Sequence, residues 1–518
     1  MDTTPAPQLL TDPPTGPMAE TTSQHALRFA TDGLYESFPE MSVKARFSRG
    51  QRVVLVALVL LSVIGFAVRP ILTGQILMTV MIGMYTSMLL FRIDLMLKGR
   101  HQGAFRFTDE ELMALDESTL PTFTILVPAY KEPEVIGHLV DNLAALNYPS
   151  HLLQIRLLLE EDDDATIRAA EALDLRAPFE IVVVPPGEPR TKPKALNYAL
   201  LSSTGDLVCI YDAEDRPDPM QLRKVAAVFA QVGPEYACVQ AELAYFNSDE
   251  NIVTRWFATE YRTWFTQFLP ALSSVDAPIP LGGTSNHIRR DLLVQMGAWD
   301  PYNVTEDADL GIRLRRCGFR VAVVDSITYE EANTDAVNWV KQRSRWYKGY
   351  AQTWLVHMRN PVRTFREVGL GGFIRFNLFV GGTPLLAALN PVSWMLVLSW
   401  FIVQPQFIMD IIPTPVYYAG MAGWLVGNFA FWYLNLMVAY DFRDQPKVFR
   451  AALLLPVYWV LMSIAAVKAF VQLAFNPNYW EKTQHGLSAL GTPAAGTVRP
   501  VTALLEPEPV FTGVSVGN

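Results

Sequence analysis

Cysteine is almost absent. Only Cys209, Cys238 and Cys317 occur, far apart, and none of the seven histidines stands at ligand spacing from them. A disulfide framework and a zinc site are therefore both excluded. Charge is sparse too: 18% of the residues are charged, where a soluble enzyme carries about a quarter. Nor is there a basic surplus, since 42 bases against 51 acids leave a net charge of −9. Nucleic acid is thus no partner by composition. What is present is apolar: half of 518 residues are hydrophobic and the mean hydropathy is +0.17. This excludes a disordered chain, predicts two or three structural units and places part of the chain in lipid.

Residues 1–45 are rich in Pro, Thr, Ser and Ala, with no base before Arg28, and are expected to form a flexible tail. Because the first apolar run begins only at Val53, the segment does not read as a signal peptide. Val53 to Val68 and Ile71 to Phe91 are apolar runs joined by Arg69-Pro70. At 1.5 Å per residue they span about 24 and 32 Å, which predicts a transmembrane hairpin within 46–100. Bases crowd both outer ends, so the positive-inside rule places both in the cytoplasm.

From 115 to 335 the texture changes. Apolar runs at 122–130, 153–160, 179–186, 206–215 and 319–325 alternate with helical periodicity, as in 134–146 and 193–203. Continuous apolar strands separated by helices predict a mostly parallel sheet covered on both faces, a nucleotide-binding α/β domain. Ligands of such sheets sit at the carboxyl ends of the strands, where the acids of 160–164 and 212–215 fall. Residues 336–375 interleave bases with aromatics, the composition of a helix in the membrane interface. Apolar runs return over 376–475, and 491–518 reads as a second tail.

The chemistry-bearing residues lie between the two apolar regions. Asp212-Ala213-Glu214-Asp215 ends an apolar strand, and carboxylates at spacing two can grip a divalent cation that neutralises a diphosphate. Lys192 and Lys194 open the helix bearing Asn197 and are expected to face phosphate. Thr305-Glu306-Asp307 reads as a helix start with Thr305 as cap, yet a carboxylate there could also take a proton from an attacking hydroxyl. In Gln342-Arg343-Ser344-Arg345-Trp346, Arg345 can stabilise a departing diphosphate and Trp346 offers a flat face to a sugar ring.

The order of these elements, an acid run after a strand, DxE, TED and then QxxRW between two sets of apolar helices, resembles the membrane-embedded processive synthases of inverting family 2 glycosyltransferases. Cellulose, curdlan, mixed-linkage β-glucan, chitin and hyaluronan synthases belong to that group, and the resemblance covers roughly residues 50–487. It implies a cytoplasmic GT-A-type, Rossmann-like glycosyltransferase domain inserted between transmembrane helices of a bacterial inner-membrane protein. Tyr130, Glu132 and an acid among Glu161, Asp162 and Asp163 would hold uridine, with Lys194 near the phosphates. Asp212 stands with Glu214 or Asp215 where the family binds Mg2+ or Mn2+, and Asp307 resembles the general base. Gly283, Thr284 and Ser285 resemble the acceptor-side loop, and Gln342, Arg345 and Trp346 match QxxRW. Residues 480–486 resemble a gating loop, which would bring Thr483 and His485 to the diphosphate, within a segment 476–490.

The implied partners are a UDP-sugar, a growing polysaccharide and membrane lipids, with any periplasmic export partner unspecified. UDP-glucose and a curdlan-like or mixed-linkage β-glucan are the expected donor and product. Trp394, Trp400, Trp424, Trp432 and Trp459 are candidate linings of an export channel. Two other readings remain: a non-processive transferase acting on a polyprenyl phosphate, and an inactive transferase domain serving binding or transport. One conflict is also open, because Arg443, Lys447 and Arg450 mark a cytoplasmic loop that would send the carboxyl end outside, whereas a gating loop must lie inside.

Overall fold

The computed structural model describes residues 22–45, 48–99, 104–402, 406–477, 479 and 481. Thr483 and His485 lie outside the described residues. At the centre is an eight-stranded sheet, β1 (Phe123–Ala129), β2 (Leu153–Glu160), β3 (Phe179–Val184), β4 (Leu207–Ile210), β5 (Arg216–Pro217), β6 (Tyr236–Tyr245), β7 (Asn286–Arg289) and β8 (Arg320–Glu330). Its order is β3-β2-β1-β4-β7-β6-β8-β5. The half formed by β3, β2, β1 and β4 is parallel, as the apolar runs predict. The other half departs from expectation: β7 runs antiparallel to both β4 and β6, while β6 and β8 pair in parallel. This is a GT-A-like Rossmann-type α/β arrangement. Parallel β1, β2 and β4 are buried on both faces and deliver their carboxyl-terminal loops side by side.

Five helices are long and apolar enough to cross a membrane among the described residues: Arg49–Val68, Pro70–Gly99, Pro361–Ser399, Thr414–Phe442 and Leu455–Phe475. Ser48 opens the first with a capping box to Gln51, whose side chain reaches on to Leu355 O at 2.7 Å. No residue of that helix is buried, and its valines and leucines face outward as a lipid-facing helix requires.

The last of the five behaves differently. It is held along the helix Ala336–His357, with the Tyr458 ring 5.0 Å from that of Trp339 at one end. Beyond the other end, Gln352 Nε2 donates to Pro477 O at 2.9 Å and Lys348 Nζ donates to Tyr479 O. Leu455–Phe475 and the residues after it therefore pack along Ala336–His357.

The expectation of a flexible tail through residue 45 fails for Thr22–Ser37, which is a helix. Phe29, Ala30 and Leu34 are buried, Asn197 Nδ2 donates to Ala30 O at 3.3 Å, and Leu34 packs on Gly297. Its polar composition hid an apolar face short enough to be missed.

Candidate active site

β4 ends at Ile210, and Asp212 follows at the mouth of the cleft. The turn after it is locked from within: Asp215 N–H donates to Asp212 O at 3.1 Å, and Asp212 N–H donates to Asp215 Oδ2 at 2.9 Å. Asp215 is fully buried, and burial beside Asp212, Glu330 and Glu214 pushes its carboxyl well up. Its Oδ2 serves the turn, while its Oδ1 is buried and meets no hydrogen-bond donor. Asp212 and Glu214 are half-buried on the same turn.

Lys192 Nζ forms an ion pair with Asp212 and donates to Gly283 O at 3.1 Å. Lys194, expected near phosphate, is fully buried and holds Glu160 at 2.7 Å and Pro185 O at 3.0 Å. Two residues along a helix turn the side chain by about 200°, so only one of the pair can face the cleft. That one is Lys192.

Gly283 leads to the candidate base, since a Cβ built there would stand 3.5 Å from Asp307 Oδ2. Ser285 turns away, donating to Thr328 Oγ1 at 2.7 Å from a positive-φ position, and Thr284 is buried beside it. Of the expected acceptor-side loop, Gly283 alone borders the cavity of Asp307. Asp307 lies in the first turn of the helix Glu306–Arg316, and its Oδ1 accepts from Ala308 N–H at 2.7 Å. Thr305 occupies the N-cap position without capping the helix through its hydroxyl; its own N–H donates to Asn303 Oδ1 at 3.0 Å. Burial raises both Asp307 and Glu306, the latter to about 7 with the Asp307 charge adding to the effect, while Lys192 and Arg345 act in the opposite sense.

Arg345 lies in the electrostatic field of Glu306, Asp307 and Asp212. One turn of the same helix carries Gln342, buried with an Oε1 that accepts no hydrogen bond, and Trp346. The Trp346 ring stacks on Tyr261 at 6.1 Å and 27°, with the Arg343 guanidinium 4.5 Å above it. Arg343 is paired with Glu260, a partner that no motif announces.

The remaining expected donor residues gather at the ends of β1 and β2. Tyr130 and Glu132 are half-buried beside Lys131, whose N–H donates to Asp163. Asp163 is buried and also accepts from Thr166 N–H at 3.3 Å, so it joins the two loops. Glu161 is exposed, and Asp162 pairs with Arg190 at 2.6 Å.

From Asp307 and Trp346 a cavity continues between the apolar helices, reaching Arg92, Asn390, Asn428, Phe431 and Trp459. Its volume, open mouth included, is about 1480 Å³. Of the five candidate channel tryptophans only Trp459 borders it among the described side chains.

Residues 121–349 match the family described as "Glycosyltransferase like family 2". The chain is 28% identical over 283 residues to "Probable glycosyltransferase YdaM" of Bacillus subtilis (strain 168), covering 53% of this chain and 66% of that protein. It is 30% identical over 257 residues to the beta-monoglucosyldiacylglycerol synthase of a Synechocystis species, covering 48% and 52%. The chain thus spans between half and two thirds of the length of these curated relatives. Among solved structures it is similar to mannosyltransferase PcManGT from Pyrobaculum calidifontis in complex with GDP-Man and Mn2+, with 18% identity, a TM-score of 0.47, and coverage of 76% of this chain and 99% of that one. The α/β domain containing residues 121–349 is thus similar to family 2 glycosyltransferases and GT-A-like in architecture, and it is set among helices long and apolar enough to cross a membrane.

Proposed function

We propose that this chain is an inverting hexosyltransferase that polymerises UDP-glucose into a 1,3- and/or 1,4-linked β-glucan and passes the product through its own membrane region. The observation that carries the reading is the cavity that begins at Asp307 and Trp346 and continues between the apolar helices. A polar chain cannot cross hydrocarbon unaided, and this cavity offers rings to stack on and amides to bond hydroxyls.

In the reaction, the acceptor hydroxyl oxygen attacks the anomeric carbon of the α-linked donor as its proton passes to Asp307. The bond from that carbon to the diphosphate oxygen breaks, and the nucleoside diphosphate leaves. Arg345 and Lys192 face the charge that develops on it. Among the described residues no three His, Cys, Asp or Glu side chains converge on one point. Asp212 and Glu214 nevertheless fit a hard cation completed by diphosphate oxygens, because both are half-buried carboxylates on the one turn after β4. A bound Mg2+ or Mn2+ would supply charge neutralisation of the diphosphate there.

The raised carboxylates set the pH dependence. The base works ionised, so kcat rises with pH through the titration of Asp307, which burial holds above the ordinary carboxylate range. An unperturbed carboxylate would titrate near ~4. Initial rates across pH 5–9, roughly, read this directly, and Glu306→Gln should move the limb to lower pH by removing the like charge. A limb near 4 would disprove the buried-pair reading.

A second reading has support of its own. The cavity wall includes Leu89, Phe268, Phe379, Leu386 and Met462, which suit a lipid acceptor, and one relative is named for a glucosyldiacylglycerol. Membrane vesicles given labelled UDP-glucose and Mg2+ or Mn2+ separate the two. Insoluble label cleaved by linkage-specific glucanases supports polymerisation, and solvent-extractable label replaces it with lipid glycosylation. In the same assay Trp346→Ala should weaken acceptor engagement by about tenfold, a loss of ~1.4 kcal/mol, and change donor binding far less. Equal loss of both removes the stacking role.

A further inference from the structure

Arg92 is a charge in an unexpected place. It lies on the membrane-length helix Pro70–Gly99, yet it borders the cavity that holds Asp307. Its Nη2 donates to Thr383 Oγ1 at 2.8 Å, and the guanidinium stands 5.9 Å and 5.8 Å from the ring centres of Phe268 and Phe379. A guanidinium has five N–H donors, so one hydroxyl leaves most of them unspent. Among the described residues no carboxylate pairs with it.

Glu260 acts on it across the cavity, but it is shared. Glu260 borders the same cavity, but its Oε2 is taken by Arg343 and by the Tyr458 hydroxyl at 2.6 Å. Asp307 at the mouth is opposed by Lys192 and Arg345. The inner cavity therefore carries one positive charge in excess. A guanidinium enclosed among apolar side chains is costly unless a negative group meets it, and its planar fork matches the oxygens of a phosphate. A second donor is close at hand: Asn390 accepts from the Tyr85 hydroxyl at 2.9 Å through its carbonyl oxygen, leaving its amide N–H groups available.

We propose that Arg92, with Asn390, forms a subsite for the phosphate of a lipid acceptor, whose apolar chain lies along Leu89, Leu386 and Phe431. The lipid source follows from position. The guanidinium is seven residues from the end of a membrane-length helix and is walled by apolar side chains, which suit a phosphate borne on a hydrocarbon chain. The inference rests on the transferase reading, since it names the acceptor's chemistry. It applies to a lipid that primes a polysaccharide as well as to one glycosylated once.

The test uses the full chain purified in detergent, with a short prenyl phosphate and the matching prenyl alcohol as probes and tryptophan fluorescence as the binding signal. Wild type should bind the phosphate at least about tenfold more tightly than the alcohol. Arg92→Gln should bring that ratio close to one, and Arg92→Lys, which keeps the charge, should retain most of it. Equal binding of the two probes by wild type, an undiminished preference in Arg92→Gln, or equal affinity for inorganic phosphate alone would each overturn the subsite. Sugar transfer in the same preparation is scored separately. Transfer without phosphate preference removes the subsite and leaves the transferase, whereas preference without transfer to any acceptor does the reverse.

Discussion

Asp307→Asn lowers kcat for sugar transfer by about 10²–10⁴-fold, the range that general-base assistance supplies, while donor nucleotide binds as before. Asparagine has the same shape, and its Oδ1 can still accept from Ala308 N–H, the 2.7 Å bond that holds the side chain in the first helical turn. What is lost is basicity at Oδ2, the oxygen that looks towards Gly283 and the cavity. Donor affinity is spared because Asp212, Lys192 and Arg345 are untouched. Labelled UDP-glucose turnover in vesicles measures the first quantity, and calorimetric titration with UDP measures the second. Retained turnover would take the base role from Asp307 and pass it to Glu306, the only other raised carboxylate in that turn.

The parallel half of the sheet was legible in the sequence because β1, β2, β3 and β4 are continuous apolar runs ended by Pro, Gly or acids. β6 was not: YACVQAELAY is rich in Ala, Gln and Glu, and only its pairing with both β7 and β8 makes it a strand. β7 is four residues long and carries too little pattern to read. The same division runs through the site. Asp212, Asp307, Arg345 and Trp346 could be named because a motif concentrates the chemistry at fixed spacing. The choice between Lys192 and Lys194 depended on helix phase, and the inward turn of Asp215 on the local hydrogen bonds around Asp212. The pairing of Arg343 with Glu260 and the isolation of Arg92 arise between segments distant in sequence, where no motif reaches.

Gly349 shows how closely the base and the QxxRW helix are fitted, and its replacement by alanine carries the second large effect. A Cβ there would stand 2.2 Å from Thr305 Oγ1 and 2.4 Å from Thr305 Cγ2, inside van der Waals contact. Neither side can easily yield. Thr305 is fixed through Asn303, whose Nδ2 donates to Thr353 Oγ1 at 3.0 Å on the same helix as Gly349. Farther along, His357 Nε2 donates to Asp309 at 3.0 Å and Arg316 donates to His357 Nδ1 at 2.7 Å, a buried clasp between the two helices. Burial lowers the imidazole to about 4, so this clasp holds a neutral histidine throughout the working pH range. Gly349→Ala must therefore push the turn bearing Asp307 away from Arg345 and Trp346. Overpacking of this kind costs about 1–3 kcal/mol of stability, and a displacement near 1 Å can reduce kcat by about 10²-fold. Donor nucleotide affinity, set mainly by the loops after β1, β2 and β4, should change by only a few fold, roughly. Thr305→Gly in the same chain removes all three clashing atoms, the Cβ at 2.7 Å included, and should restore part of the rate. If Gly349→Ala proves fully active, or if Thr305→Gly gives no rescue, the base and the QxxRW helix do not meet at this contact.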